Sequence, residues 1–123
     1  GLVPDSGGTW FIHRLLGFAR AFEWMCANTR LSAAEALDWG LVSEVVPAAS
    51  FESRVAELAA EWAARPTLAV GRTKQLFEHA FSASLEEQLA LEAELQQASV
   101  ATADFREGVG AFLEKRPPTF TGT

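Results

Sequence analysis

The sequence predicts a mostly α-helical chain with a single strand, and three observations carry that prediction. Apolar residues recur at helical spacing along most of the chain, and two Ser-x-x-Glu capping boxes mark helix starts. Only Leu41-Val42-Ser43-Glu44-Val45-Val46, closed by Pro47, has the β-branched character of a strand. The size and composition fit one ordinary globular unit: 123 residues, 49% hydrophobic, with 10 Lys+Arg against 16 Asp+Glu for a net charge of -6. A core is feasible but marginal at this length.

The elements follow in order. Gly1 to Thr9 pairs a short apolar stretch with Pro4, Asp5, Ser6, Gly7 and Gly8, residue types that make turns and helix starts. The helix expected after it carries Trp10, Phe11, Leu15 and Leu16 on one side, and Trp10 and Leu16 read as core packing. Gly17 marks a bend before a second helix with Phe18, Phe22, Met25 and Cys26, which ends near Asn28. Ser32-Ala33-Ala34-Glu35 is the first capping box and starts a short helix that Gly40 ends.

Phe51, Val55, Leu58, Ala59 and Trp62 then give a helix up to Pro66, and the next one runs from there to about Phe81. Ser84-Leu85-Glu86-Glu87 is the second capping box, with Leu85, Leu89, Leu91 and Leu95 behind it. A last helix from about Ala103 carries Phe105, Val109, Phe112 and Leu113 and stops at Pro117-Pro118. An isolated strand leaves a row of backbone groups that need partners, so a second chain or a further segment is expected to supply its sheet. The opening without methionine, inside a turn, suggests that the beginning of the protein is missing.

Composition excludes several functions. With a pI of about 4.9 and no basic cluster, the chain lacks the electrostatic footprint of a nucleic-acid or acidic-membrane binder. No apolar run reaches the length that spans a bilayer, and no signal peptide opens the sequence, which reads as cytoplasmic. Cys26 is alone, so no intrachain disulfide or Cys/His zinc site is expected, and its apolar neighbours read as a buried structural thiol. There is no Ser/His/acid spacing, no Walker-type lysine loop and no HExxH. His13 and His79 read as structural or surface residues, and Glu86, Glu87, Glu92 and Glu94 as solvated helix faces.

Two places remain as candidates. Asp5, in a glycine-rich turn before a helix, is placed to move a proton if an oxyanion site stabilises the intermediate; the bland alternative is that Asp5 or Ser6 caps the helix. Phe112 and Lys115, three residues apart with Arg116 adjacent, set an aromatic plane beside a cation that can stack an adenine and hold a phosphate. The bland alternative makes Phe112 core and lets Lys115 and Arg116 complement the helix C-terminus.

Three blocks in order carry a resemblance: Gly1-Leu2-Val3-Pro4-Asp5-Ser6-Gly7-Gly8-Thr9-Trp10; Leu31-Ser32-Ala33-Ala34-Glu35-Ala36 with Trp39-Gly40-Leu41-Val42; and Asp104-Phe105-Arg106-Glu107-Gly108-Val109 with Ala111-Phe112-Leu113-Glu114-Lys115-Arg116-Pro117. They resemble the C-terminal half of the crotonase (enoyl-CoA hydratase/isomerase) superfamily across essentially the whole chain, most of all the ring 1,2-epoxyphenylacetyl-CoA isomerases. The resemblance implies the C-terminal part of an α/β fold built as a ββα spiral, with residues 1–49 ending that core and residues 50–123 forming a helical trimerisation region. Trimers, often paired into hexamers, are the implied assembly.

The resemblance also implies function. Family members bind a CoA thioester as substrate and stabilise its enolate with two backbone N–H groups, without a metal or a redox cofactor. Asp5 falls where isomerases and dehalogenases of the family carry their acid, while the glutamates that hydratases use fall upstream of Gly1. Asp5 is thereby implied as the general acid/base of an isomerase, and Phe112 and Lys115 as contacts to the adenine and phosphate of CoA held by a neighbouring subunit. One departure is Ile12-His13-Arg14, where the family often has Leu-Pro-Arg. Lacking the N-terminal half and its oxyanion donors, the 123 residues alone are expected to be inactive. The alternatives are an enoyl-CoA hydratase and a non-catalytic oligomerisation fragment.

Overall fold

The computed structural model describes residues 1–123, which form seven α-helices and divide into two compact units, Gly1–Phe51 and Glu52–Thr123. In the first unit α1 (Gly8–Leu16) packs on α2 (Phe18–Ala27). Gly17, at φ 76° and ψ 160°, breaks the helical path between them in a conformation that a side chain would strain. Asn28, left-handed at φ 51°, ends α2, with its N–H bonded back to the Trp24 carbonyl. The indole N–H of Trp24 donates to the Thr29 carbonyl at 2.9 Å, and its ring meets Trp39 edge-on at 6.0 Å.

The first capping box forms as the sequence predicts. Ser32 Oγ accepts the Glu35 N–H, the Glu35 carboxylate accepts the Ser32 N–H, and α3 (Ala33–Asp38) follows. Gly40 at φ 76° closes it, and the N–H groups of Gly40 and Leu41 turn back to the carbonyls of Leu37 and Ala36. The strand expected at Leu41–Val46 is absent; Leu41 and Val42 both direct their N–H groups to Ala36, and the residues after them have no ladder. β-branched residues favour an extended backbone, but only pairing makes it a strand, and no second strand is present in this chain.

The second unit holds most of α4 (Phe51–Ala63), which a short 3₁₀ turn at Ala48–Ser50 introduces, then α5 (Thr67–Ala80), α6 (Leu85–Val100) and α7 (Ala103–Glu114). The second capping box, Ser84 with Glu87, starts α6. Helix α6 packs between α5 and α7. Polar bridges tie α5 to α6: Arg72 donates to Ser99 Oγ at 3.0 Å, His79 Nδ1 lies 3.0 Å from Gln88 Oε1, and the Gln88 amide donates to the Leu76 carbonyl at 3.2 Å.

Beyond α7 the extended segment 117–123 folds back along that helix. Asp104, 4% exposed, accepts the N–H groups of Thr121 at 2.7 Å and Gly122 at 2.9 Å, while its own N–H donates to the Thr123 carbonyl at 3.0 Å. Gly122 sits at φ 77°, and a Cβ there would meet Thr67 Oγ1 at 2.5 Å. Phe120 lies over Gly108, with its ring 3.6 Å from where a Cβ would stand, an ordinary packing distance.

Burial departs from the sequence reading. Ala21 and Ala111 are the buried hydrophobic residues, whereas Phe18, Phe22, Phe51, Val55 and Trp62 all remain exposed. Trp10, read as core packing, is 42% exposed, and Cys26, read as buried, is exposed as well. Periodicity identifies the face of a helix that wants cover, not what covers it. On α2 the covered face is the one with Ala21, and Cys26 lies about 140° around the helix from it.

Removal of the buried carboxylate by Asp104→Ala leaves two N–H groups without their acceptor and is expected to cost about 2–3 kcal/mol. Gly122→Ala is expected to cost roughly 1 kcal/mol or more from strain and crowding. Urea midpoints for the two variants check both, and a midpoint for Asp104→Ala equal to that of the parent would contradict the latch.

Candidate active site

Asp5 is placed by two consecutive left-handed residues, Ser6 at φ 53° and Gly7 at φ 77°, which turn the chain into α1. Glycine suits the second of them, because a Cβ there would stand 3.1 Å from the Phe11 ring as well as being strained. The turn is closed by the Gly8 N–H donating to the Asp5 carbonyl at 2.8 Å, and the Gly7 carbonyl accepts the N–H groups of Trp10 and Phe11. Gly7 is the N-cap, and no side chain caps the helix. The bland reading of Asp5 or Ser6 as the cap is therefore corrected: the exposed Asp5 carboxylate accepts only a long 3.3 Å bond from Ser6 Oγ in this network.

Beside the turn, Leu2, Val3 and Pro4 line a hollow with Ile12, Trp24 and Met25. His13 leaves α1 unbroken: its Nδ1 hydrogen-bonds the Thr9 carbonyl one turn back. Arg14 reaches the Trp10 carbonyl at 2.8 Å and lies 4.0 Å over the Trp10 ring. The departure at position 13 thus adds a contact at the start of the helix that follows Asp5.

The other candidates stand at the end of α7. Phe112 is 82% exposed, which rules out the reading of it as core. Lys115 is exposed and closes the helix in the left-handed conformation, φ 56°. Its N–H bonds to the Phe112 carbonyl at 3.2 Å and that of Arg116 to the Ala111 carbonyl at 3.0 Å, the paired reversal usually built on glycine. Phe112 also borders an apolar groove shared by Leu76, Leu89, Phe105, Val109 and Phe120.

Arg116 is committed elsewhere. Its guanidinium forks onto Glu107 at 2.6 and 2.9 Å, its Nε reaches Glu114 at 2.7 Å, and Glu107 also accepts the Thr119 N–H at 2.8 Å. The Arg116 hydrogen bonds, and after them that of Thr119, hold the Glu107 carboxyl down to about 2, and the two carboxylates raise the Arg116 pKa in turn. Neither this clasp nor Asp104 stands out in the sequence, since no local rule pairs residues nine or seventeen apart. Asp5 belongs to the first unit, Phe112 and Lys115 to the second. No three His, Cys, Asp or Glu side chains come together as a metal site, and no helix is long and apolar enough to cross a membrane.

The sequence profile described as enoyl-CoA hydratase/isomerase matches residues 1–123. The chain belongs to that family. It is similar to a probable enoyl-CoA hydratase of Rhodobacter capsulatus, 48% identical over 99% of this chain and 48% of the relative. It is also similar to the 1,2-epoxyphenylacetyl-CoA isomerase of Escherichia coli, 42% identical over 99% of this chain and 47% of the relative. Among solved structures, an enoyl-CoA hydratase/isomerase of Cupriavidus metallidurans superposes with a TM-score of 0.91 at 34% identity, over 99% of this chain and 46% of that one. This member of the enoyl-CoA hydratase/isomerase family thus spans about half the length of the relatives it matches, and its helices are part of the crotonase fold.

A carboxyl with a depressed folded-state pKa contributes stability above its ordinary value, and that contribution is lost as pH falls toward the folded value. For Glu107 the window runs from the ordinary 4.5 down to about 2. An NMR titration of the Glu107 carboxyl is expected to show a midpoint near 2, moved upward by Arg116→Ala; a midpoint near 4.5 in the parent would contradict the clasp.

Proposed function

We propose that the chain works as the C-terminal half of an acyl-CoA isomerase, in which Asp5 moves the proton. The observation that carries this reading is the Asp5 turn: an exposed carboxylate just before a helix whose N-cap is a glycine, with no side chain in the capping role. A carboxylate so placed can take a proton from the carbon next to a thioester carbonyl and return it at another carbon, while N–H donors from the rest of the enzyme hold the enolate oxygen. That proton transfer changes no oxidation state, so it calls for no redox cofactor. Ring 1,2-epoxyphenylacetyl-CoA is the proposed substrate, supported by the likeness to the Escherichia coli isomerase.

The exposed Phe112 and the neighbouring Lys115 are proposed to meet the adenine and phosphate of CoA bound in an adjacent subunit of a trimer or hexamer. Apolar side chains left uncovered on α4 and α7 support assembly. A second reading, enoyl-CoA hydration, is favoured by the 48% identity to the probable hydratase of Rhodobacter capsulatus.

In the full-length enzyme, Asp5→Asn is expected to lower isomerisation by roughly 100-fold or more while leaving CoA affinity near that of the parent. Unchanged turnover of the acyl-CoA would sink the proton-transfer role, and parent-like hydration of an enoyl-CoA by both forms would favour the second reading. Phe112→Ala together with Lys115→Ala is expected to raise the Kd for CoA at least roughly tenfold by calorimetry. An unchanged Kd would remove both residues from the binding site.

A further inference from the structure

Lys115 occupies a backbone conformation that disfavours side chains, φ 56°, at a helix end where glycine is the usual residue. Something must hold it there. Were α7 to continue helically through Lys115, Glu107 and Arg116, nine residues apart, would lie about 180° apart around the helix and could not meet. Because the chain reverses at Lys115, the Arg116 guanidinium instead returns to Glu107 as a two-pronged bond of 2.6 and 2.9 Å. The Thr119 N–H completes the closure on the same carboxylate. The clasp therefore requires the left-handed turn, and it adds a side-chain closure to the backbone bonds from Lys115 and Arg116 that already form that turn.

We propose that Glu107 and Arg116 are positioning residues, whose clasp fixes Lys115 in its left-handed turn beside Phe112 and so presents its ammonium group to a phosphate of CoA. This rests on the reading of Lys115 as a CoA contact. The fork matters as well as the charge: only a guanidinium matches both carboxylate oxygens at once, so lysine at 116 keeps the attraction and loses the geometry.

The test uses the full-length enzyme, with CoA as the probe in calorimetry and with KM and kcat for an acyl-CoA substrate. Lys115→Ala is expected to weaken CoA binding roughly tenfold and Glu107→Gln roughly fivefold, with the rise in KM larger than any fall in kcat. The double variant should bind no worse than Lys115→Ala alone, because the clasp acts through Lys115. If Lys115→Ala weakens binding and Glu107→Gln does not, or if the two losses add fully, the positioning role is overturned while the CoA contact stands. An unchanged affinity for Lys115→Ala overturns the contact and the clasp's role together. Should Glu107→Gln fail to fold, Arg116→Lys makes the same comparison, with the same outcomes.

Discussion

Several helices of this chain, α1, α2 and α4 most clearly, have an apolar face, yet the chain itself buries few hydrophobic side chains, Ala21 and Ala111 foremost. That shortage is the constraint on which the remaining structure depends. Where a large core is missing, elements must be fixed by interactions that act over a turn or two, and these are abundant. Two reciprocal capping boxes start α3 and α6, and left-handed residues end α2, α3 and α7. Side-chain bridges from Arg72, His79 and Gln88 join α5 to α6 where apolar contact alone would be thin. The same shortage leaves broad apolar surface, of a kind that marks sites of contact with other protein.

The candidate chemistry sits where backbone geometry is unusual. Asp5 is followed by two left-handed residues and Lys115 is itself one, so both mark places where the chain reverses. Backbone held outside its preferred regions persists only when its surroundings over-determine it. At the first place the closure comes from backbone bonds and a glycine; at the second, backbone bonds are joined by a charged clasp at the protein surface.

What was legible in the sequence was local. Serine and glutamate three residues apart gave both capping boxes, Gly17 and Gly40 gave their breaks, and helical spacing placed α4 to α7 within a few residues. The Leu41–Val46 strand was misread because β-branched composition reports an extended preference, while a strand also needs a pairing partner and none of the elements here is a strand. The burial of Cys26 was misread for a related reason: an apolar neighbourhood along the chain does not supply a neighbour in space. The Asp5 turn and the Phe112–Lys115 pair were visible as residue types in sequence. Their settings, the uncapped helix start and the clasp that crosses from Glu107 to Arg116, were not, since both arise from how the backbone turns.

The segment after α7 looks expendable on paper, with two prolines, no regular structure and small polar residues at its end. Its final three residues nevertheless bond the buried Asp104 four times, with two N–H groups and the Thr121 hydroxyl donating to the carboxylate and the Thr123 carbonyl accepting from its amide. Without Thr121, Gly122 and Thr123 that carboxylate and its amide would lose these partners together. The strap that keeps Phe120 over Gly108 would also be freed. Residues without regular structure thus hold the first turn of α7, and a change at Thr121 or Gly122 acts on that helix through Asp104.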